Sequence, residues 1–500
     1  MPTIIDTNLV LLLPELFLLV WSFLLVAISF FVKSRNHQFS AIAALCGLLV
    51  SIILVLLSDY GDISGRVFIN NSTALFFKLI FAFSAAVTCL LMLTTTTPQI
   101  SKRTSLMYPL LLASTGGMML LAMAENLISV FVSLEIATLP LILIIIITLS
   151  KQDRPIAVKV MLTSIFSTVL ILYGFSFLYG LSGSADLLQM KINIAVIHLT
   201  HRDIGVVILL CVLTLIAGFM MKMHLPPFHG WAKELYRKLP LPILAFFATA
   251  YITIILMSFS KVFVNGLFAF YGPEQMPNDW GRLVSLVAAG AIVTGTIKIL
   301  QLKEIRSMLF YLVIVQAGFA MISIVSMNQL GPQAVGFHLV AFTLAMIGAM
   351  SVIYCLEKSR NLLTISELAG LYSTSKPLAL YLGLFFLSLG GLPLTAGFVA
   401  RFVVFEAAFS MAKTDFQYYW MYILAGIGVL CAALLFFYFV SIVFSMFKGS
   451  SQDTAAVRLS PVFLTVLTLT AAATLFFGIL PDSLLDFSLE ISRSFGFIVE

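Results

Sequence analysis

The chain has 500 residues, of which 61% are hydrophobic and 10% are charged, and its mean hydropathy is +1.09. Soluble globular proteins carry roughly a quarter charged residues, so this composition excludes a soluble enzyme and indicates a multi-pass membrane protein. The formal net charge of +6 comes from scattered basic residues and not from a basic run, which excludes a nucleic-acid-binding protein as well.

Apolar runs of about 20 residues, the length that crosses a bilayer as a helix, occur fourteen times in the sequence. These spans, numbered in chain order, lie at 9–31, 41–58, 73–95, 106–123, 127–149, 157–182, 205–224, 242–264, 282–300, 308–327, 334–356, 377–411, 420–446 and 461–480. The gap at Glu125-Asn126 is so short that one kinked helix is an alternative for spans four and five. Span seven continues into an amphipathic piece, His229 to Lys238. We predict an all-α polytopic membrane protein with about 14 transmembrane helices.

The positive charges predict the orientation of these spans. Loops that follow odd-numbered spans hold seventeen lysines and arginines, whereas the other loops and the C-terminal tail hold seven. Those seven are Arg66, Lys78, Lys191, Arg202, Arg282, Lys413 and Arg493. Because cytoplasmic loops carry the excess of basic residues, odd-numbered spans are expected to exit to the cytoplasm. Both termini then lie on the outer (periplasmic) side of the cell inner membrane. The segment 1–8 lacks a basic signal region, so span one is expected to be a retained helix.

Prolines interrupt spans seven and twelve. Pro226 and Pro227 follow Lys222, and Pro393 precedes Arg401. Proline removes a backbone donor and breaks a membrane helix, which is tolerated where the freed groups line a cavity. The breaks are an odd number of spans apart, so two five-helix units would be inverted in the membrane. Within one membrane domain (1–500), we predict N-terminal helices in 1–103, repeats at 104–264 and 282–446, and a last helix at 461–480.

Glu135 in span five and Lys222 at the end of span seven are the leading candidates for proton transfer. A charge inside a bilayer costs at least a few kcal/mol, so it faces protein or water and marks a functional site by default. The proton affinity of each group depends on the other, so a Glu/Lys pair is a natural proton switch. A static buried ion pair that joins two helices is the alternative.

Three further groups lie beside the breaks or inside a span. His229 and His338 titrate in the useful range and are candidate relays; a helix cap and a satisfied interior histidine, respectively, are the alternatives. Arg401 stays protonated, so it can only bias neighbouring groups, and Glu406 is at most a loose partner for it.

Other charged residues have simpler interpretations. Glu15 lies near the outer end of span one and is expected to be structural. Lys261 and Lys298 fall near span ends, where snorkelling of the ammonium to the membrane surface accounts for them; a role in transport is the alternative.

The sequence offers no centre for redox chemistry. The five cysteines occur singly in apolar stretches, and no CxxC, Cys/His cluster, dinucleotide fingerprint or phosphate loop is present. Disulfides, zinc and iron–sulfur centres are therefore not expected, and any redox chemistry belongs to a partner.

Several motifs resemble one family. The segment from Lys222 through Pro226, Pro227 and His229 to Trp231, followed by Pro240-Leu-Pro242, resembles the helix-seven signature of the antiporter-like subunits of respiratory complex I. Further segments look most like the N subunit of bacterial and plastid NAD(P)H dehydrogenases: 12–15, 125–135, 305–311, 316–318 and 387–398. The resemblance runs over nearly the whole chain.

The resemblance implies fourteen helices with inverted five-helix repeats and a Glu/Lys pair on helices five and seven, which Glu135 and Lys222 match. It also implies a hydrophilic axis that leads to a titratable residue on helix twelve. Two positions depart from the pattern: Arg401 stands where that residue is usually lysine, and Ile252, with Tyr251 beside it, replaces a lysine on helix eight. Lys261 would lie about 13 Å from Ile252 along the helix and on roughly the opposite face.

The function that the resemblance implies is a proton-translocating N-type subunit of a complex-I-like NADH (or ferredoxin):quinone oxidoreductase. The chain itself would hold no cofactor or metal; partner subunits would carry iron–sulfur clusters, with a flavin as a further candidate, and quinone would be the substrate of the complex. Expected partners are other membrane subunits, including antiporter-like siblings, and the lipid bilayer. Alternatives are a subunit of a multisubunit Na⁺/H⁺ antiporter or membrane-bound hydrogenase, and a non-pumping scaffold.

Overall fold

The computed structural model describes residues 9–31, 37–63, 65–94, 104–200, 205–267, 279–360, 363–414, 418–448 and 460–486. The first helices are α1 (Leu13–Phe31, after a 3₁₀ turn Leu9–Leu12), α2 (His37–Leu56), α3 (Ser72–Leu93), α4 (Thr104–Met123), α5 (Leu127–Thr148), α6 (Arg154–Ser182), α7 (Leu187–Thr200), α8 (Gly205–Lys222) and α9 (Gly230–Lys238). Span eight consists of α10 (Leu241–Phe246), a π-helical turn (Phe247–Tyr251), α11 (Ile252–Ser260) and a second π-helical turn (Lys261–Gly266).

The remaining helices are α12 (Asp279–Gln301), α13 (Ile305–Val325), α14 (Leu330–Arg360), α15 (Leu371–Thr374, after a 3₁₀ turn Ile365–Leu368), α16 (Lys376–Gly390), α17 (Ala396–Thr414), α18 (Trp420–Lys448) and α19 (Pro461–Ile479). Among the described residues, two strands, β1 (Gly61–Ile63) and β2 (Phe68–Asn70), form an antiparallel hairpin.

The predicted all-α, multi-pass fold is confirmed. Thirteen helices of the described ranges are long and apolar enough to cross a membrane, and each coincides with one predicted span. The remaining predicted span, number twelve, is divided into α16 and α17, and α16 alone has only 15 residues. The predicted interruption at Pro393 therefore lies between two helices. The inverted repeats stay a prediction.

Spans four and five are separate helices, so the alternative of one kinked helix is wrong. Asn126 has an extended backbone, and its side chain accepts the N–H of Ile128 at 2.9 Å. Ser129 completes a capping box by accepting the N–H of Asn126 at 3.2 Å. Because these bonds satisfy backbone groups that a helix start leaves unpaired, the sequence Asn126-Leu127 starts a new helix.

The segment around Glu125 is joined to two other connections of the chain. Its backbone N–H donates to the Val67 carbonyl at 3.2 Å, and its carbonyl accepts the Leu187 N–H at 3.1 Å. Isolated bridges also pair Phe68 with Ala124 and Asn126 with Asp186. The hairpin and α7 were not predicted from the sequence, yet together they fix the main chain at the junction of α4 and α5.

By its internal contacts the chain divides into two compact units. Unit 1 comprises the described residues up to His224 together with Ala250–Trp280. Within it α4 packs closely on α5, because Gly117 lets the backbone of Ala137 approach. Unit 2 comprises Leu225–Thr249 and the described residues from Gly281 onwards. Its centre is α13, in which every residue except Arg306 is buried, packed on α14 and α17.

Candidate functional site

Lys222 and Glu135 meet in unit 1 as an enclosed ion pair. The Lys222 Nζ lies 3.2 Å from Oε1 of Glu135 and donates to Oγ1 of Thr168 at 3.0 Å. The Thr168 hydroxyl donates in turn to the same Glu135 oxygen at 2.9 Å. The lysine side chain is completely buried, whereas 18% of the Glu135 side chain is exposed. The structure brings the two predicted residues together; their role in proton transfer stays a prediction.

The broken helix places the Lys222 ammonium. Lys222 is the last residue of α8, and the chain turns through His224, whose φ of +57° lies in the left-handed region, before α9 begins. Pro226 and Pro227 have no N–H groups to continue the helix. The lysine therefore lies at a helix C-terminus, where the partial negative charge of the backbone favours a cation.

Tyr251 and His224 surround the backbone of Lys222. The Tyr251 hydroxyl donates to the Lys222 carbonyl at 3.1 Å, and so satisfies one acceptor that the helix end leaves free. The His224 ring stacks on the Tyr251 ring with centroids 5.8 Å apart. Ile252, where the family resemblance expects a lysine, is fully buried and apolar. Tyr251 thus supports the pair from the position next to that replacement.

His229 lies in unit 2, at the residue before α9. Its ring is half-buried and contacts the ring of Tyr311, with centroids 5.9 Å apart. His229 occupies the N-cap position of α9, but its side chain makes no cap hydrogen bond, so the alternative interpretation as a hydrogen-bonding cap is wrong. The relay role of His229 stays a prediction.

Arg401, in α17 of unit 2, is buried and caps the end of another helix. Its guanidinium donates to the carbonyl oxygens of Leu389 and Gly390, the last residues of α16. Its Cζ also lies 5.2 Å from the centroid of the Phe319 ring, a cation–π contact. Glu406 is exposed, and no ion pair joins it to Arg401 in this described segment. The arginine therefore binds the carbonyl groups at the point where span twelve is interrupted.

His338 lies near Arg401 in unit 2, across a small cavity with room for about one water molecule. Its Nε2 is 3.0 Å from the carbonyl oxygen of Gln316. Since a carbonyl can only accept, Nε2 carries the proton of the neutral ring. Its Nδ1 is buried and has no hydrogen-bond partner in the described part of the chain. Gln316, Ser388 and Arg401 line the same cavity, together with apolar residues such as Phe342 and Leu389.

Two further buried ion pairs in unit 1 were missed from the sequence. Lys78 Nζ lies 2.7 Å from Glu15 Oε1, and both side chains are fully enclosed. The assignment of Lys78 to a loop is wrong, because Lys78 belongs to α3. Glu15 is fully buried, which is consistent with a structural role. Lys261 Nζ lies 2.6 Å from Glu125 Oε1 and is enclosed. The snorkelling prediction for Lys261 is therefore wrong, since its charge ends in a buried pair.

Among the residues that the structure describes, no group of three or more histidines, cysteines, aspartates or glutamates is arranged to hold a metal ion. The polar groups that the structure does bring together are charged pairs and single histidines. Carboxylates, ammonium groups and imidazoles of this kind can hold and pass protons.

Comparisons with known proteins agree on one family. Residues 124–428 match the family model described as NADH:quinone oxidoreductase/Mrp antiporter, TM. The chain is 28% identical over 492 residues to NADH-quinone oxidoreductase subunit N of Trichlorobacter lovleyi, covering 96% of each. It is 31% identical over 396 residues to NADH-quinone oxidoreductase subunit N of Parafrankia sp., covering 78% of this chain and 72% of the relative.

A solved structure shows the same fold. A chain of respiratory complex I from Thermus thermophilus with bound aureothin matches with a TM-score of 0.75 and 23% identity, covering 95% of this chain and 98% of that one. The family model spans more than half of this chain, and the relatives extend the match over nearly all of it. The chain therefore belongs to the NADH:quinone oxidoreductase/Mrp antiporter transmembrane family, and within it to the subunit N family of NADH-quinone oxidoreductases.

Proposed function

We propose that the chain is the proton-translocating, N-type membrane subunit of a complex-I-like NADH:quinone oxidoreductase. The observation that carries this proposal is the enclosed Lys222–Glu135 pair at the end of a broken membrane helix. The names of the relatives support NADH as electron donor and quinone as acceptor. Ferredoxin is the alternative donor in this proposal.

The pair has the chemistry of a proton switch. At an effective dielectric constant of about 20, unit charges about 3 Å apart attract by roughly 5 kcal/mol, so separating them changes the free energy of holding the proton by several kcal/mol. Lysine can release its proton in such a site, whereas arginine cannot. Thr168 bridges the two groups by accepting from one and donating to the other, and so offers a path between them. Movement of α5 or α8 would load and unload Lys222.

In unit 2, we assign His338 as a relay and Arg401 as a fixed positive charge beside it. The cavity they share and the free acceptor on His338 support this assignment. His229 is a second candidate relay, supported by its half-buried ring beside Tyr311. Arg401 acts electrostatically in this scheme, because its guanidinium keeps its proton.

Electron transfer belongs to partner subunits in this proposal. Iron–sulfur clusters, with a flavin as a further candidate, would be held there, and conformational or electrostatic coupling would reach this chain through antiporter-like sibling subunits. The chain would lie in the inner membrane with both termini on the periplasmic side, as the distribution of basic residues supports.

The experiment compares Glu135→Gln, Lys222→Arg and Glu406→Gln in inside-out membrane vesicles that contain the whole complex. Proton uptake and NADH oxidation are measured together, and the result is the number of protons moved per NADH. We expect the first two variants to lower this ratio, because neither can exchange a proton at the pair. Glu406→Gln, which changes an exposed glutamate of α17, is the matched control and should retain the wild-type ratio.

A wild-type ratio in both pair variants at normal NADH oxidation would overturn the proposal and favour a non-pumping scaffold. The family description also includes Mrp antiporters, which favours a cation/proton antiporter subunit as the second candidate. Gentle extraction separates these candidates: iron–sulfur signals in the co-purifying subunits support the redox-driven pump, and a set of membrane subunits without a redox centre supports the antiporter.

A further inference from the structure

Three buried glutamate–lysine pairs occur in the described part of unit 1, and they differ in the exposed fraction of the glutamate side chain. In Glu15–Lys78, both side chains have no exposed surface. In the Glu135–Lys222 pair the glutamate side chain is 18% exposed, and in the Glu125–Lys261 pair it is 14% exposed, while the lysines are 0% and 4% exposed. Two of the pairs therefore combine an enclosed ammonium with a partly exposed carboxylate.

The Glu125–Lys261 pair has the same composition as the proposed switch. Lys261 Nζ donates to Glu125 Oε1 at 2.6 Å and to the Ala124 carbonyl at 2.7 Å, and Asn265 Nδ2 donates to Glu125 Oε2 at 3.2 Å. One lysine, one carboxylate and one uncharged polar side chain thus form the cluster, as Lys222, Glu135 and Thr168 do.

Two elements connect these clusters. The chain from Glu125 through α5 carries both carboxylates, ten residues or about 15 Å apart at 1.5 Å per residue. Span eight carries Tyr251, which contacts Lys222, and Lys261, also ten residues apart. α11 packs against α5, so the two elements run side by side within unit 1. The buried Thr253 hydroxyl, which has no hydrogen-bond partner among the described residues, lies on span eight between the clusters.

Glu125 lies in the connection between two membrane spans, and its side chain is partly exposed. It stands between the end of α4 at Met123 and the start of α5 at Leu127, and both helices are membrane spans. The connection between two spans lies at a membrane surface. The basic residues predict that this surface is the periplasmic one.

We propose that Glu125 and Lys261 are a second proton-carrying pair, through which unit 1 exchanges protons with the aqueous phase at the α4–α5 junction. The Lys261 ammonium transfers one proton to the Glu125 carboxylate; the N–H bond breaks, an O–H bond forms, and the carboxyl then releases the proton to water. Neutral Lys261 is recharged by a proton from the interior of unit 1. This inference rests on the proposed function and adds the residues at which the path reaches the surface.

The test measures protons moved per NADH oxidised in inside-out vesicles with the full complex. Lys261→Arg keeps the positive charge and the partner of Glu125 but cannot release a proton. We expect it to lower the ratio by the same fraction as Glu135→Gln. A structural ion pair would tolerate this change, so a wild-type ratio in Lys261→Arg, alongside a lowered ratio in Glu135→Gln, overturns the inference and leaves the proposed function intact.

A second variant keeps the test decisive if arginine does not fit. Replacing both partners of a buried pair with apolar side chains avoids an uncompensated charge, so Glu125→Leu/Lys261→Met should assemble. The number of protons that this double variant moves per NADH should match that of Glu135→Gln. A wild-type number in the double variant overturns the inference. Arg66→Gln removes the partly exposed ion pair to Asp186 in the same unit and is the matched control, with the wild-type ratio expected. If Glu135→Gln itself has the wild-type ratio, the proposed function fails first.

Discussion

Glu15 and Lys78 form the most enclosed charge pair among the described residues of unit 1. Their atoms Oε1 and Nζ are 2.7 Å apart, and Lys78 also donates to Oδ1 of Asn70 at 2.8 Å. Asn70 in turn donates to the Asp59 carbonyl at 2.7 Å. The pair therefore joins α1 to α3 and to the hairpin that precedes α3. Because neither side chain reaches an opening, we interpret it as structural.

We predict that Glu15→Leu and Lys78→Met each destabilise the protein by about 3–5 kcal/mol, because each leaves one buried charge without its partner. The double variant should recover most of this loss, since two apolar side chains leave no charge to compensate. Thermal unfolding of the detergent-solubilised complex and its amount in membranes measure both effects. Additive losses in the double variant would contradict the interpretation.

At the level of residues, the sequence predicts some partners well and others poorly. Glu135 is recognised because it lies inside a membrane span, and Lys222 because it precedes a helix break; a charge at either place has no surface interpretation. The partners of Lys78, Lys261 and Arg401 are not recognised. Lys261 and Glu125 are 136 positions apart, and Arg401 pairs with backbone carbonyls, which have no signature in side-chain chemistry.

At the level of elements, the break between α16 and α17 depends on an arginine as much as on a proline. α16 ends at Gly390, and Gly391 follows with a φ of +89°, which favours glycine. A Cβ on Gly391 would also come 2.8 Å from Arg401 Nη1. The arginine satisfies two carbonyls that the interrupted helix leaves without N–H partners.

We predict that Arg401→Met destabilises the protein by about 2–3 kcal/mol, because it removes charged hydrogen bonds and leaves buried acceptors unpaired. Arg401→Lys should have an intermediate effect, since one ammonium cannot reproduce the planar fork of a guanidinium. Thermal unfolding of the purified complex in detergent measures the stabilities of the wild type and the two variants. Equal stability of all three proteins would show that the carbonyls do not need this donor.

The short helix α9 is held to the start of α13 by polar contacts. Arg237 Nε donates to Glu304 Oε1 at 2.7 Å, and Ser307 Oγ donates to Glu304 Oε2 at 2.6 Å. Burial acts to raise the pKa of Glu304, but the hydrogen bonds from Ser307 and Arg237 and the charges of Arg237 and Lys233 outweigh it. They hold the pKa below its usual value of 4.5.

A carboxyl whose pKa is lowered by folding stabilises the protein above its unfolded pKa, and this contribution is lost as the pH falls through the folded pKa. We therefore predict that stability falls as the pH drops from the unfolded pKa of a glutamate, about 4.3, through the lower folded pKa of Glu304. Glu304→Gln should reduce this fall modestly, because Arg237 is half-exposed and the pair is screened. Unfolding transitions across that pH range measure it, with Asp482→Asn, an exposed carboxyl, as control. An identical pH profile in Glu304→Gln would exclude a role for this contact.

At the level of the whole molecule, the number of membrane-spanning helices determines on which side of the membrane each loop lies. The hydropathy pattern predicts the spans well, because the thickness of a bilayer sets a minimum length for each apolar run. α7, with 14 residues, was missed because it is short and mixed in composition. It extends only about 21 Å, less than the hydrocarbon thickness, so it does not change the number of crossings. Lys78 lies inside α3 and not in a loop, as do several of the basic residues counted for the opposite side, such as Lys159 in α6.

We predict that the connection between α5 and α6 faces the cytoplasm and that α7 lies on the periplasmic side. Single cysteines at Gln152 and Gln189, both exposed, should react with a membrane-impermeant maleimide from opposite sides. Labelling of Gln152→Cys in inside-out vesicles alone, and of Gln189→Cys in right-side-out vesicles alone, is the expected pattern. The reverse pattern would invert the assigned topology.

The main-chain bonds on both sides of Glu125 imply which partner of its ion pair can move. Hydrogen bonds to Val67 and from Leu187 anchor the glutamate, whereas Lys261 begins a π-helical turn, whose hydrogen bonding is less regular than that of an α-helix. We therefore expect the pair to separate by displacement of span eight, while the main chain of Glu125 stays in place.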